Sequence, residues 1–277
     1  MHAVLAESHL VYDVEQPTTL LVNVMAASTS RQTIKFEDFR VDPVVDYRVL
    51  PVGEEQNRIV RLALNEPGRY EISYQAKILL DPFTARSPDV EETDYADLPP
   101  DVLSYLNPSR YCESDRLANF AMAEFGGMQR NFDRVDSICN WIDAQIEYLP
   151  GSTNSLTTAS DVLIQRTGVC RDFAHMGISF CRALGIPARY VSGYACLLDP
   201  PDFHGFFEAY LSGQWYLFDP TRLAPPAGLV RIGTGRDAAD VAFATIWGKA
   251  KLIHKEVLAT AISSEDLEEK GKVVSTA

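Results

Sequence analysis

One stretch decides the fold: residues 167–184, which read TGVCRDFAHMGISFCRAL. Its second part predicts a buried helix, because apolar side chains recur there at the three- and four-residue spacing of one helix face. These side chains are Phe173, Met176, Gly177, Phe180, Cys181 and Leu184. Gly185 suits a left-handed helix cap, and Pro187 cannot continue a helix. Gly168 predicts a tight loop before the helix, so Cys170 is expected at the helix N-terminus.

The position of Cys170 has a chemical consequence. Unpaired backbone N–H groups and the positive end of the helix dipole stabilise a thiolate at a helix N-terminus. A cysteine on a glycine-led loop that opens a buried helix is therefore placed as a nucleophile would be. The alternative is that Cys170 is an inert small hydrophobic residue, as a cysteine among apolar neighbours usually is.

A second stretch, residues 205–219, bears on this choice. Its two aromatic-rich halves flank a Ser-Gly pair, which is typical of a β-hairpin with a two-residue turn. Antiparallel pairing across that turn sets Leu211 opposite Gln214, so His204 and Asp219 are expected near the same end of the hairpin. The Asp219 carboxylate can then hold the His204 imidazole while the other ring nitrogen faces a thiol.

Together these residues predict a nucleophile, a base and an orienting carboxylate: Cys170, His204 and Asp219. The rival base is His175, which follows Cys170 by five residues and lies on a different face of the helix. Its position makes it the weaker candidate.

Four segments carry a resemblance to a known family: GVCRDFA at 168–174, RALGIPARYVSGY at 182–194, DFH at 202–204 and WYLFDPT at 215–221. They resemble the bacterial transglutaminase-like superfamily over roughly residues 110–250. In that family the cysteine, histidine and aspartate occur in this chain order, as a catalytic triad on a papain-like core. The resemblance implies an α+β fold in which the helix bearing Cys170 packs on an antiparallel sheet.

The resemblance also implies acyl transfer at an amide. Members of the superfamily include cross-linking transglutaminases, peptidases, a deglycosylating amidase and inactive relatives. The tryptophan that animal transglutaminases place ahead of the cysteine has no counterpart near Leu156 and Thr157, and no calcium-type acidic loop is visible. We therefore expect hydrolysis of a peptide, isopeptide or side-chain amide. A protein-glutamine transglutaminase with an amine acceptor and a non-catalytic interaction module are the alternatives.

Four further residues are candidates for supporting the site. Gln165 invites comparison with the oxyanion glutamine of papain-like proteases, although a glutamine on a helix surface is the commoner explanation. Asp172 points away from Cys170 by about 200° of helical turn, so it is expected to fix the loop or a neighbouring arginine. Arg236 and Asp237 lie in a charged turn beyond the hairpin and are expected to brace the active-site loop.

The chain divides into four parts by composition. Residues 1–80 predict a small β-sandwich, similar to the β-rich region that often precedes bacterial transglutaminase-like cores. We expect it to pack against the enzyme, with substrate recruitment as the alternative. Residues 81–108 predict an exposed acidic, Pro-rich linker, residues 109–262 the catalytic domain, and residues 263–277 a polar tail. The strands expected in the first part are 20–24, 33–36, 47–50, 59–64 and 70–74.

Composition limits the classes of binding partner and the cellular compartment that are expected for this chain. The net charge of −13 and the pI near 4.8 argue against nucleic acid and against an anionic membrane. The five cysteines form no metal-binding or disulfide pattern, which favours a reducing compartment. The N-terminus lacks the basic and apolar segments of a leader, so a cytoplasmic location is expected. The expected partner is a peptide or protein amide, with no metal or other cofactor; the sequence leaves the oligomeric state open.

Overall fold

The computed structural model describes residues 1–55, 57–262, 267 and 272–277. Its helices are α1 (Ala118–Phe125), α2 (Phe132–Gln145), α3 (Ala159–Gln165) and α4 (Cys170–Ala183), with 3₁₀ turns at Ser87–Asp89, Tyr95–Asp97, Pro100–Leu106 and Pro226–Gly228. Its strands are β1 (His2–Val14), β2 (Thr18–Val22), β3 (Gln32–Asp42), β4 (Tyr47–Val52), β5 (Asn57–Leu64), β6 (Gly68–Leu80), β7 (Phe83–Arg86), β8 (Glu147–Tyr148), β9 (Thr167–Gly168), β10 (Ala188–Ala195), β11 (Phe203–Leu211), β12 (Gln214–Phe218), β13 (Leu229–Gly235), β14 (Ala244–Trp247), β15 (Ala250–Ala261) and β16 (Lys272–Ser275). None of the helices in the described part of the chain is long and apolar enough to cross a membrane.

The N-terminal part is built from two antiparallel four-stranded sheets. One has the strand order β15-β1-β6-β3 and the other β14-β2-β5-β4. Side chains from both sheets, among them Leu10 and Leu62, lie in one buried hydrophobic cluster. Two sheets that share a core form a sandwich, and the predicted β-rich N-terminal region is confirmed.

Strand β1 was not among the strands expected from the sequence, although it pairs with β6 along its whole length. Every second residue of β1 is buried, but the buried positions include His2, Ala6 and Ser8. Small and polar residues at inward positions obscure the apolar–polar alternation by which a strand is recognised.

The second part of the fold is an antiparallel sheet with the order β12-β11-β10-β13, against which α4 packs. The contact is close: a Cβ atom on Gly177 would lie 2.5 Å from the Phe207 ring. The predicted hairpin has the predicted register, with Leu211 opposite Gln214. The expected α+β core, with the cysteine-bearing helix on an antiparallel sheet, is confirmed.

Helix α4 begins at Cys170, as the sequence predicts. It ends before Gly185, whose φ of +78° is the left-handed conformation expected there. Burial goes further than one face, because every residue from 172 to 182 is buried. The helix is enclosed on all sides, so its position is fixed by packing rather than by one apolar stripe.

The segment 81–108 differs from the exposed linker that its composition predicts. It contains β7 and three 3₁₀ turns, and Val90 and Val102 are buried. The Glu92 carboxylate is only 4% exposed and is bound by Arg134 of α2. Glu92 therefore stabilises the packed structure, because the buried Arg134 guanidinium requires a partner of opposite charge.

The C-terminal strands also differ from the predicted boundaries. Strand β14 pairs with β2 and β15 pairs with β1, so residues 244–261 complete the N-terminal sheets instead of the catalytic sheet. Strand β16 pairs with β7, and its valines are buried, whereas a polar tail was expected over 263–277. Residues 263–266 and 268–271 lie outside the described residues.

Polar side chains join the two parts at buried positions. The Gln32 side chain donates to the carbonyl of Arg231 and accepts from its N–H, at 2.9 and 2.8 Å. The Asn57 amide bonds to Thr234 in the same two-way manner. The hydrophobic cluster of the sandwich also includes Tyr194 of the catalytic sheet. The two parts therefore pack together through buried hydrogen bonds and the hydrophobic cluster of the sandwich.

Candidate active site

The candidate nucleophile, Cys170, is half-buried at the first position of α4. The buried Asp172 carboxylate holds the loop before it. Asp172 Oδ2 accepts hydrogen bonds from the Val169 N–H at 3.0 Å and from the Thr153 hydroxyl at 2.6 Å, and Oδ1 accepts from the Arg171 guanidinium. Asp172 therefore contacts the loop and the neighbouring arginine and fixes where the nucleophile sits.

His204 and Asp219 meet at the end of the hairpin. His204 Nε2 lies 3.0 Å from Asp219 Oδ2, and both side chains are almost completely buried. The Asp219 carboxylate also accepts from the Thr221 N–H, from the Thr221 hydroxyl and from the Ala224 N–H, at 2.9, 2.6 and 3.1 Å. These three donors fix the orientation of the carboxylate, and its hydrogen bond to Nε2 fixes the orientation of the imidazole.

The second ring nitrogen of His204, Nδ1, is buried and makes no hydrogen bond to any described residue. Burial alone would lower the pKa of His204, but the hydrogen-bonded Asp219 carboxylate and the nearby Cys170 side chain outweigh it and raise the pKa to about 10. The imidazolium form is therefore favoured beside the thiol at neutral pH. This is the charge arrangement in which a cysteine acts as a thiolate.

The rival base, His175, is held in a structural role. Its Nε2 accepts a hydrogen bond from the Ala238 N–H at 3.1 Å, and its ring stacks on Tyr111. Burial lowers the pKa of His175 to about 3, so the ring is neutral at physiological pH. A ring whose acceptor nitrogen is occupied by a backbone donor cannot take a proton from Cys170.

Of the remaining candidate residues, one contacts a residue of the cleft and two do not. Asp237 is buried and accepts from the N–H of Tyr111, which lines the cleft, at 2.9 Å. Arg236 is exposed and pairs with Asp240 of the same turn at 3.0 Å. Gln165 lies exposed at the end of α3 and makes no hydrogen bond to Cys170 within the described chain. The structure thus brings Asp237 towards the site but not Gln165.

Cys170 and His204 both line a cleft of about 420 Å³. Aromatic side chains form much of its wall, namely Tyr111, Tyr190, Phe203 and Phe243. Ala244 and Lys255 also line it, and they belong to strands that complete the N-terminal sheets. Lys255 binds Asp202 across the cleft rim at 2.5 Å. The sandwich therefore contributes to the cleft as well as packing behind it.

Comparison with known proteins identifies the family. Residues 120–220 match the transglutaminase-like superfamily, and residues 4–84 match the bacterial transglutaminase N-terminal domain. A candidate cysteine protease from Cytophaga hutchinsonii, known from its crystal structure, is 40% identical, and the match covers 100% of this chain and 98% of that one with a TM-score of 0.95. This chain belongs to the transglutaminase-like superfamily.

Within the superfamily, two uncharacterised mycobacterial proteins are also similar. One from Mycobacterium leprae is 35% identical over 120 residues, covering 39% of this chain and 42% of that protein. One from Mycobacterium tuberculosis H37Rv is 32% identical over 152 residues, covering 49% of this chain and 48% of that protein. The matches therefore span about half the length of these relatives.

Two residues at the site were not singled out from the sequence. The Thr221 hydroxyl lies 3.3 Å from His204 Nε2 while donating to Asp219. Its signal was available, since a threonine two residues after an aspartate suits a local side chain–backbone turn. The other residue is Tyr148 of β8. It lies 22 residues before Cys170, and no local sequence pattern links it to the nucleophile.

Proposed function

We propose that this member of the transglutaminase-like superfamily hydrolyses an amide by cysteine-dependent acyl transfer. The bond cleaved is a peptide, isopeptide or side-chain amide. The observation that carries the proposal is the His204 imidazole, held at 3.0 Å by Asp219 and lining the same cleft as the Cys170 thiol. An oriented base next to a thiol is the arrangement by which cysteine nucleophiles are activated.

The steps follow from these positions. The Cys170 thiolate attacks the amide carbonyl carbon, and the π electrons of the carbonyl move to its oxygen. Collapse of this tetrahedral species breaks the C–N bond while His204 gives its proton to the departing amine. Water then attacks the thioester and His204 accepts a proton from it; collapse breaks the C–S bond and releases the free acid, which leaves the Cys170 thiolate beside protonated His204. Asp219 keeps the ring oriented and stabilises its positive charge.

Hydrolysis is favoured over transfer to an amine because of the sequence around the nucleophile. The region that corresponds to the tryptophan of animal transglutaminases holds Leu156 and Thr157. Both outcomes share the same acyl-enzyme, so the acceptor is decided by competition between water and amine at the thioester. The test must therefore provide an amine acceptor as well as water.

The first experiment is alkylation with iodoacetamide at pH 6, mapped by mass spectrometry. Burial raises the pKa of Cys112 to about 12 and of Cys196 to about 11, and raises the pKa values of Cys139 and Cys181 well above their usual range. These four thiols should stay unmodified while Cys170 reacts. Uniform slow labelling of all five cysteines would contradict an activated nucleophile.

The second experiment screens peptide and isopeptide libraries, with and without dansylcadaverine as an amine acceptor. We expect cleavage by the wild type and by the control Cys196→Ala, and none by Cys170→Ala. Cleavage that persists in Cys170→Ala would overturn the proposal. Predominant incorporation of the amine would replace hydrolysis with transamidation at the same site.

A further inference from the structure

The backbone of Tyr148 is tied to the loop that carries the nucleophile. In the parallel pair β8–β9, Tyr148 lies opposite Gly168, two residues before Cys170. The N–H of Leu149 donates to the carbonyl of Gly168 at 2.9 Å. Tyr148 therefore keeps its place relative to the start of α4, even though 22 residues separate it from Cys170 in the chain.

The ring of Tyr148 is fixed from a second direction. It packs against Phe173, three residues after Cys170, with ring centroids 5.7 Å apart and a tilt of 57°. The side chain is still 38% exposed. Tyr148 thus spans the first turn of α4. Its backbone pairs with the loop before Cys170, and its ring packs on Phe173 after Cys170.

The phenol lies beside Cys170, because its backbone pairs with the loop before that residue and its ring packs on the first turn of α4. Burial raises the pKa of Tyr148, and the neighbouring Cys170 thiol raises it further. The net result is a pKa above the usual value for tyrosine. The hydroxyl therefore keeps its proton at neutral pH and remains a hydrogen-bond donor.

We propose that Tyr148 supplies the second hydrogen bond of the oxyanion hole, beside the main-chain N–H of Cys170. This inference rests on the proposed acyl transfer. When the thiolate attacks, the oxygen that gains the carbonyl π electrons accepts from the Cys170 N–H. The Tyr148 phenol, packed on the same first turn of α4, donates its proton to that oxygen at a hydrogen-bond length of about 3 Å.

Two other donors close to Cys170 are engaged elsewhere. The Arg171 guanidinium donates to Asp172 and to the carbonyl of Asn154. The Thr153 hydroxyl donates to Asp172 at 2.6 Å. Both contacts hold the loop, so neither group can turn to the oxyanion without releasing it. Tyr148 can donate without breaking a contact that positions the nucleophile.

Two reagents applied to Tyr148→Phe distinguish a loss of oxyanion stabilisation from a loss of thiolate reactivity. Iodoacetamide alkylates the thiolate by displacing iodide, and no oxyanion forms. 4-Nitrophenyl acetate acylates it: the C–S bond forms, the carbonyl electrons move to oxygen, and collapse expels 4-nitrophenolate. Phenylalanine keeps the ring that packs on Phe173, so the fold should be retained. The matched control is Tyr47→Phe, whose ring is 42% exposed in the sandwich.

We expect the alkylation rate of Cys170 in Tyr148→Phe to stay within about twofold of wild type and the acylation rate to fall about 10²-fold. Tyr47→Phe should match wild type in both reactions. Acylation of Tyr148→Phe at or above the wild-type rate would overturn the inference, as would an equal fall in both reactions, which would make Tyr148 a positioning residue. Wild-type protein that is alkylated at Cys170 but never acylated would overturn the proposed function, and the inference with it.

Discussion

At the scale of single residues, the candidate triad is organised by its carboxylate. Asp219 accepts three hydrogen bonds from the turn that follows it, two from Thr221 and one from Ala224, and presents Oδ2 to His204. These donors fix the carboxylate in place, and the carboxylate favours the protonated imidazole. The charge on His204 therefore depends on a turn of six residues.

Asp219→Asn tests this dependence. The amide keeps the shape of the side chain but withdraws the charge that stabilises the imidazolium, and its NH₂ group can face the ring in the wrong orientation. We expect turnover of an amide substrate to fall on the order of 10- to 10³-fold, because the thiolate–imidazolium pair forms before attack and leaves less for the orienting group to do. The measurement is turnover, with folding checked by circular dichroism.

Asp240→Asn is the control for this substitution, since Asp240 pairs with exposed Arg236 on the surface. It should leave turnover unchanged. A folded Asp219→Asn variant with wild-type turnover would make Asp219 a structural carboxylate and reduce the triad to a dyad of Cys170 and His204.

At the scale of elements, the position of Cys170 is set by how closely α4 approaches β11. Gly177 allows this approach, because a Cβ atom there would lie 2.5 Å from the Phe207 ring. Phe207 is itself fully buried and stacks on Phe218 of β12. The absence of a side chain at Gly177 therefore sets the distance between α4 and β11. That distance in turn sets the separation of Cys170 from His204.

Gly177→Ala should accordingly destabilise the protein, although alanine is the better helix former by about 1 kcal/mol. Overpacking against a ring that cannot move should lower the free energy of unfolding by about 1–3 kcal/mol. Urea denaturation measures the change. Gly127→Ala is the control, because no atom lies within 4 Å of a Cβ there and its effect should stay within about 0.5 kcal/mol. Equal stability of the two variants would show that the helix can shift away.

Elements with local signals were predictable from the sequence, and elements with distant partners were not. The hairpin register follows from the Ser-Gly turn between Leu211 and Gln214, and helix α4 begins at Cys170, after the loop that Gly168 predicts. The same holds for the proximity of His204 and Asp219. The pairing of β15 with β1 has no local signal, since the two strands lie at opposite ends of the chain. Tyr148 was missed for the same reason.

At the scale of the whole molecule, a buried ionic cluster joins distant segments. Glu208 of β11 is fully buried and accepts from Arg189 at 2.7 Å and from Arg231. Arg189 also binds Glu55 of the sandwich at 2.7 Å, and Arg231 binds Thr276 near the C-terminus at 2.8 Å. One carboxylate thus connects the N-terminal part, the catalytic sheet and the last residues of the chain.

The cluster predicts a pH-dependent stability. Burial alone would raise the pKa of Glu208, but the charges and hydrogen bonds of Arg231 and Arg189 lower it to about 2. Because this value lies below the unfolded value near 4.5, ionised Glu208 stabilises the fold fully above pH 4.5. The contribution is lost as pH falls from 4.5 towards 2.

Glu208→Gln should lower the free energy of unfolding at pH 7 by on the order of 3–5 kcal/mol, since it leaves the buried Arg231 without a charged partner and Arg189 with Glu55 alone. Its stability should also fall less than that of wild type between pH 5 and 2. Urea denaturation at several pH values measures both effects. Glu256→Gln, at a carboxylate that is 71% exposed, is the control and should follow wild type. Parallel pH profiles for all three proteins would contradict the prediction.

The pairing of β1 with β15 has a consequence for how the protein is made. A ribosome releases the N-terminus first, so β1 emerges early and pairs with β6, but its other edge stays open until residues 250–261 have left the exit tunnel. An open strand edge can pair with other chains. A nascent chain that stops after the catalytic hairpin would carry Cys170, His204 and Asp219 but lack the strand that closes the sandwich. Translation must therefore pass residue 261 before the nucleophile rests on a finished scaffold.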